Sequence, residues 1–131
     1  MIVDSSALIA ILAREPERDR FIEALVDATC CSISAPTLLE TTIAVRGLAP
    51  PVISELRDLI RDAKIDVLAF GSEHLSAAQD AFGRYGRGSG HRAGLNFGDC
   101  FSYAASVVSG RPLLFKGDDF IHTDVQAVVK S

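Results

Sequence analysis

Thiol and imidazole chemistry have little to work with in this chain. Only three of its residues are cysteine; Cys30 and Cys31 are adjacent and Cys100 stands alone. That leaves no CxxC spacing for zinc and no even set for a disulfide framework, so free, buried thiols are expected. His74, His91 and His122 are scattered without ligand-like spacing and read as surface or loop residues. No apolar run approaches the roughly 18 residues that span a bilayer, and Met1-Ile2-Val3-Asp4 lacks the basic n-region of a signal peptide. A cytoplasmic protein with no membrane partner is the expectation. An excess of positive charge is also missing: 13 Lys and Arg face 17 Asp and Glu, for a formal net charge of −4. This excludes general electrostatic affinity for nucleic acid, so a polyanionic substrate would have to be held by a local basic patch or by metal.

What is present is an ordinary globular mixture, 48% hydrophobic and 23% charged over 131 residues. That length supports one domain spanning 1–131 and one modest core. Strand-like segments recur at Met1 to Asp4, Cys31 to Ser34, Asp66 to Ala69 and Pro112 to Phe115, and Gln126 to Val129 could supply a short last strand. Helical periodicity fills the intervals. Phe21, Ile22, Leu25 and Val26 share a face after Pro16; Ser34-Ala35-Pro36 opens a helix that Gly47 closes; Pro50-Pro51 precedes the stripe Val52, Ile53, Leu56, Leu59 and Ile60. Ser72 caps a helix through Leu75, Ala78 and Phe82, and another runs from about Gly98 to Val108, with Gly110 past its end. Such alternation predicts an α/β fold: a parallel sheet of about four to five strands with helices on both faces.

The acids are more informative than the composition. Asp4 stands at the tip of the first strand, followed by Ser5 and Ser6 at a helix start. The crevice beyond the carboxyl ends of the strands is where open α/β sheets bind ligands. Glu40 lies in the second long helix in an unusually apolar setting, between Leu38-Leu39 and Thr41-Thr42-Ile43. Asp99 falls in the first turn of the last helix, and Asp118-Asp119 follows the fourth strand. Each has a plain explanation: Asp4 or Ser5 as a helix cap, Glu40 as a solvated residue, Asp99 as a complement to the helix dipole, Gly117-Asp118-Asp119 as a turn. Together they describe carboxylates that would repel one another unless a divalent cation neutralised them. Oxygen-only ligands select Mg²⁺ or Mn²⁺ over zinc, and such ions serve phosphodiester hydrolysis.

At these residues the sequence resembles the PIN-domain ribonucleases and, within them, the VapC toxins of bacterial toxin–antitoxin pairs. Met1-Ile2-Val3-Asp4-Ser5-Ser6-Ala7-Leu8 is similar to the family's first motif, with Arg14-Glu15-Pro16-Glu17 its usual continuation. Pro36-Thr37-Leu38-Leu39-Glu40 resembles the segment carrying the second acid, and Asn96-Phe97-Gly98-Asp99-Cys100-Phe101-Ser102-Tyr103-Ala104 the third and most specific. Leu113-Leu114-Phe115-Lys116-Gly117-Asp118-Asp119-Phe120 with Thr123-Asp124 resembles the closing region. The resemblance implies a PIN fold and a Mg²⁺-dependent endoribonuclease in which Mn²⁺ could substitute. Asp4 and Asp99 would be the main metal ligands, Glu40 would orient water or complete the shell, and Asp118 or Asp119 would be the fourth acid. It also implies an RNA substrate, a homodimer and a cognate antitoxin whose C-terminal segment blocks the groove, often with a basic side chain among the acids.

Strand alternation favours Asp118 as the inward acid and Asp119 as the turn residue. Ser6 is a helix-start hydroxyl that could bond Asp4 or a metal-bound water. Arg84, Arg87, His91 and Arg92, in and beside the glycine-rich loop before Asp99, could supply local phosphate contacts to RNA. Two other functions fit parts of the pattern. A haloacid-dehalogenase-like phosphatase also starts with a strand-tip Asp but needs a second Asp where this chain has Ser6. A non-catalytic PIN-like module would use the acids only to dock a basic peptide.

Overall fold

Ile2 pairs in parallel with Ser32 on one side and with Leu113 on the other, so the strand that begins the chain lies inside the sheet. The computed structural model describes residues 1–48 and 52–128. Along them run β1 (Ile2–Val3), α1 (Ser5–Leu12), α2 (Arg18–Asp27), β2 (Cys31–Ser34), α3 (Ala35–Val45), α4 (Val52–Asp62), β3 (Ile65–Leu68), α5 (Ser72–Tyr85), α6 (Phe97–Ser109), β4 (Leu113–Leu114) and a 3₁₀ turn at Phe120–His122. The strands are parallel and ordered β3-β2-β1-β4. The chain works outward from β1 to β3, then crosses to the other side of β1. The strand order therefore reverses between β1 and β4, and Asp4 and Lys116 stand just past the carboxyl ends of those two strands.

Alternation along the strands divides the core. Ile2 and Leu113 pack on one face with Ala81, Tyr85, Leu95, Tyr103 and Ala104 from the α5–α6 side. Val3 and Leu114 point the other way, into a cluster with Leu8, Phe21, Leu25, Val45 and Leu56 from α1 to α4. This is the expected two-faced α/β architecture. Helix punctuation matches in part: α5 is capped by Gly71, with the expected cap Ser72 already its first residue. Pro36 lies in the first turn of α3, and Gly110 closes α6 with φ 70°, a left-handed conformation that suits glycine.

Some boundaries differ from expectation. β3 begins one residue earlier, at Ile65, because its pairing with Cys31 starts there. The last segment makes one parallel bridge, Ala127 to Leu113, in place of a strand; Val129 lies outside the described residues, as do Pro50 and Pro51. Val26, Leu75 and Phe82 are exposed although they fall at helical spacing with buried neighbours. Each lies at the margin of its apolar stripe, beyond the face that the neighbouring elements cover.

Candidate acid site

Asp4 is the one acid of the group that is buried, and its two oxygens are held differently. Oδ2 accepts from the backbone N–H of Ser6 at 3.0 Å and from its hydroxyl at 2.6 Å, which makes Asp4 the N-cap of α1. Oδ1 accepts from the hydroxyl of Ser102, a fully buried residue of α6. The capping role and the site role are thus the same geometry. Ser6 in turn accepts from the backbone N–H of Lys116 at 2.9 Å, tying the segment after β4 to the start of α1. The ammonium of Lys116 reaches Glu15 at 2.7 Å and Glu17 at 3.3 Å, which secures the same segment from the far end of α1.

Asp99 occupies the third position of α6, where Oδ2 accepts from the Asn96 N–H at 3.0 Å while Asn96 Oδ1 accepts from the Asp99 N–H at 2.9 Å. This reciprocal cap fixes the carboxyl at the end of the helix. Burial pushes the Asp99 pKa up to about 6; the Asn96 N–H opposes the rise, and the charges of Asp4, Asp119 and Glu40 add to it.

Glu40 projects from α3 toward Gly98. A Cβ on Gly98 would overlap Glu40 Oε2 and lie 2.6 Å from its Cδ, so only glycine leaves room for this carboxylate. Glu40 also borders a cleft of about 420 Å³ walled by Leu39, Ile43, Phe97 and Phe101. That apolar wall explains the electrostatics: desolvation raises the Glu40 pKa, Asp4 raises it further, and Ser5 opposes. Its Oε1 is buried with no hydrogen-bond partner.

Asp118 and Asp119 are both exposed. Asp119 belongs to the set of charges that raises Asp99, and Asp118 does not. Of the pair, Asp119 is the one whose charge bears on Asp99, whereas strand alternation favours Asp118. The chain leaves extended geometry at Gly117 (φ 100°), and Asp119 has helical backbone angles at the start of the 3₁₀ turn, so the two-residue period no longer applies.

The basic residues before Asp99 are not held alike. Arg84 is engaged by Asp80 at 3.1 Å, by Asp124 at 3.6 Å and by the Tyr85 hydroxyl at 2.7 Å, so its charge is spent within the fold. Arg87, His91 and Arg92 are exposed on a loop closed at its base by the hydrogen bonds Arg87 N–H to Leu95 O and Leu95 N–H to Tyr85 O, both 2.9 Å. That closure sets the loop immediately before the Asn96 cap. Ser102 and Gly98 were not singled out from the sequence. The signal for Ser102 was its i,i+3 spacing from Asp99, which places both on neighbouring positions of one helix.

Comparison with known proteins agrees with the motifs. The family model described as PIN domain matches residues 1–126. Ribonuclease VapC30 of Mycobacterium tuberculosis is 44% identical over 130 residues, covering 98% of each chain. The chain belongs to the PIN-domain family, among the VapC ribonucleases. Solved structures share its fold. The sarcin–ricin-loop-cleaving toxin VapC20 of M. tuberculosis aligns at a TM-score of 0.77 with 16% identity, covering 97% of each chain. A toxin–antitoxin complex from Klebsiella pneumoniae aligns at 0.69 with 15% identity, covering 91% of this chain and 88% of that one. Membership settles the rivalry with the phosphatase, whose second Asp is replaced by Ser6 in this PIN domain. Among the described residues, no helix is long and apolar enough to cross a membrane.

The fit of a divalent cation rests on the chain itself. The donors are hard carboxylate oxygens, two carboxyls have pKa values raised by burial and by neighbouring acids, and Glu40 Oε1 is buried without a partner. As the side chains stand, no group of three His, Cys, Asp or Glu among the described residues is close enough together to hold a metal ion. Ser6 and Ser102 bond the two oxygens of Asp4, and Asn96 bonds one of Asp99; Asp4 Oδ1 and the bonded Asp99 oxygen each keep a lone pair for a cation. The donor chemistry fits the cation, which would draw the carboxylates together.

Proposed function

We propose that this PIN domain is a Mg²⁺-dependent endoribonuclease, with Mn²⁺ able to substitute, acting as the toxin of a toxin–antitoxin pair. The observation that carries the reading is the mutual field of the acids: Asp4, Glu40 and Asp119, from separate elements, all raise the carboxyl of Asp99. Asp4 and Asp99 would hold the ion, Glu40 would complete the site, and Asp119 would be the fourth acid in preference to Asp118. When bound, the cation polarises a phosphoryl oxygen and lowers the pKa of water.

The remaining work falls to the side chains. Glu40 Oε1, buried and without a donor, is the free acceptor that can orient a water and take its proton. Asp4, pinned on both oxygens, supplies a charge of fixed direction. Arg87 and Arg92, with His91, give an acidic protein local contacts to RNA phosphates.

Two partners complete the reading: a second copy of the chain in a homodimer, and a cognate antitoxin. The antitoxin would cover the acid groove and present Arg or Lys to Asp4, Asp99 or Asp119, replacing the cation's charge. Support comes from the relatives' names and from the K. pneumoniae complex of the same fold. The test is cleavage of RNA by purified protein with Mg²⁺, with EDTA, and with Asp4→Asn in place of wild type. Cleavage confined to the wild type with metal is expected, and equal cleavage in EDTA would overturn the mechanism.

A further inference from the structure

A line of hydroxyls runs through the interior between the helices that carry the acids. The Thr37 hydroxyl on α3 lies 3.4 Å from the Ser102 hydroxyl on α6, and Ser102 bonds Asp4 Oδ1. Thr37 and Ser102 are both fully buried. Proton counting sets the direction. An ionised carboxylate can only accept, and a serine hydroxyl has one proton to give, so Ser102 donates to Asp4 and Thr37 donates to Ser102. Thr37 is itself held by its carbonyl, which accepts from the Thr41 hydroxyl at 2.8 Å. On the other side of Asp4, Ser6 donates to Oδ2 and accepts from the Lys116 N–H. One continuous chain of donors thus connects α3, α6, Asp4, α1 and the segment leading to Asp119.

We propose that Ser102 is a positioning residue for the acid site: the buried Thr37–Ser102–Asp4 chain fixes the plane of the Asp4 carboxylate so that it meets a divalent cation in one orientation. The proposal rests on the metal-nuclease reading above and adds a residue to it. Two hydroxyls on opposite oxygens stop the carboxylate from rotating, and a low-dielectric interior strengthens both bonds. Groups that orient a metal ligand from behind typically carry 10- to 100-fold in metal affinity or activity. Ser102 also makes the position of α6 relative to β1 part of the site, since the same helix carries Asp99 three residues earlier.

The test is calorimetric titration of Mn²⁺ alone into wild type, Ser102→Ala and Ser102→Cys, with circular dichroism to confirm the fold and RNA cleavage measured in parallel. Ser102→Ala should bind Mn²⁺ about tenfold more weakly or worse. Its kcat should fall at limiting Mg²⁺ and recover in part at saturating Mg²⁺, with KM for RNA unchanged. Ser102→Cys, similar in shape but a weak donor, should fall between, and it is the variant that decides if the alanine protein does not fold. Wild-type Mn²⁺ affinity in the folded variants would overturn this proposal alone. A wild type that binds no Mn²⁺ would overturn the nuclease reading and this proposal with it. A loss of stability with unchanged metal affinity would show that Ser102 only packs.

Discussion

The two ends of the sheet treat charge in opposite ways. At the amino end, the chain's α-ammonium donates to Cys30 O at 2.8 Å, and the Arg111 guanidinium donates to Ser32 Oγ, Met1 O and Cys30 O at 2.9, 3.1 and 3.3 Å. These cations close the amino ends of the two central strands by satisfying carbonyls. At the carboxyl end, the charges of Asp4, Glu40 and Asp119 bear on Asp99, and Lys116, the nearest ammonium in sequence, turns away to Glu15 and Glu17. Satisfied charge stabilises; unsatisfied charge of one sign, buried in part, stores repulsion that only a binding partner relieves. The contrast predicts a structural amino end and a ligand-binding carboxyl end.

The strongest way to break it is to neutralise the carboxyl end. Asp4→Asn, Asp99→Asn and Glu40→Gln should each lower RNA cleavage by at least about a hundredfold with the fold retained. Near-wild-type turnover by either Asp variant at saturating Mg²⁺ would end the assignment.

Gly98→Ala sharpens the same point without touching a charge. The new methyl group must displace Glu40, so activity should drop by about tenfold or more while the added helix propensity, about 1 kcal/mol, holds the fold. Unchanged kinetics would mean that Glu40 does not need its place beside Gly98.

The adjacent acids provide an internal control. Asp119→Asn should impair metal-dependent cleavage several-fold more than Asp118→Asn, judged by kcat at equal Mg²⁺; the opposite ranking would restore Asp118 as the fourth acid.

Burial of Asp99, with repulsion from the other acids added, has a pH signature. A carboxyl whose folded pKa is raised contributes stability that is fully present below its unfolded value and is lost as pH rises through the folded one. For Asp99 that window runs from its ordinary 3.8 to about 6. Metal-free wild type should therefore lose Tm relative to Asp99→Asn between pH 4 and pH 7, and millimolar Mg²⁺ or Mn²⁺ should recover it. A Tm difference that is flat with pH, or a melt indifferent to metal, would remove the strain argument.

The smallest functional effect is expected at the amino end. Arg111→Ala removes donors to carbonyls at the amino ends of the central strands and should lower Tm by roughly 5 °C, with cleavage per folded molecule unchanged. Loss of catalysis without loss of stability would mean that the two ends are coupled.

Much of this was legible in the residues because local rules govern them. The strand segment ending at Ser34 and the helix end at Gly110 follow from period, propensity and capping chemistry, which a short stretch of chain decides for itself. The strand-tip placement of Asp4 and the helix-start placement of Asp99 are equally local, and the motifs around them carried the family. Tertiary structure decided whatever depended on what lies across the gap. Asp119, and not Asp118, adds its charge to Asp99 after the backbone turns at Gly117; Arg84 pairs with Asp80 and Asp124, the latter 40 positions away; and Glu40 needs Gly98 on another helix. Ser102 reaches Asp4 across 98 positions of sequence. Helix and strand periods fix which way a side chain points from its own element, but burial, pairing and repulsion are set by neighbours that only folding supplies.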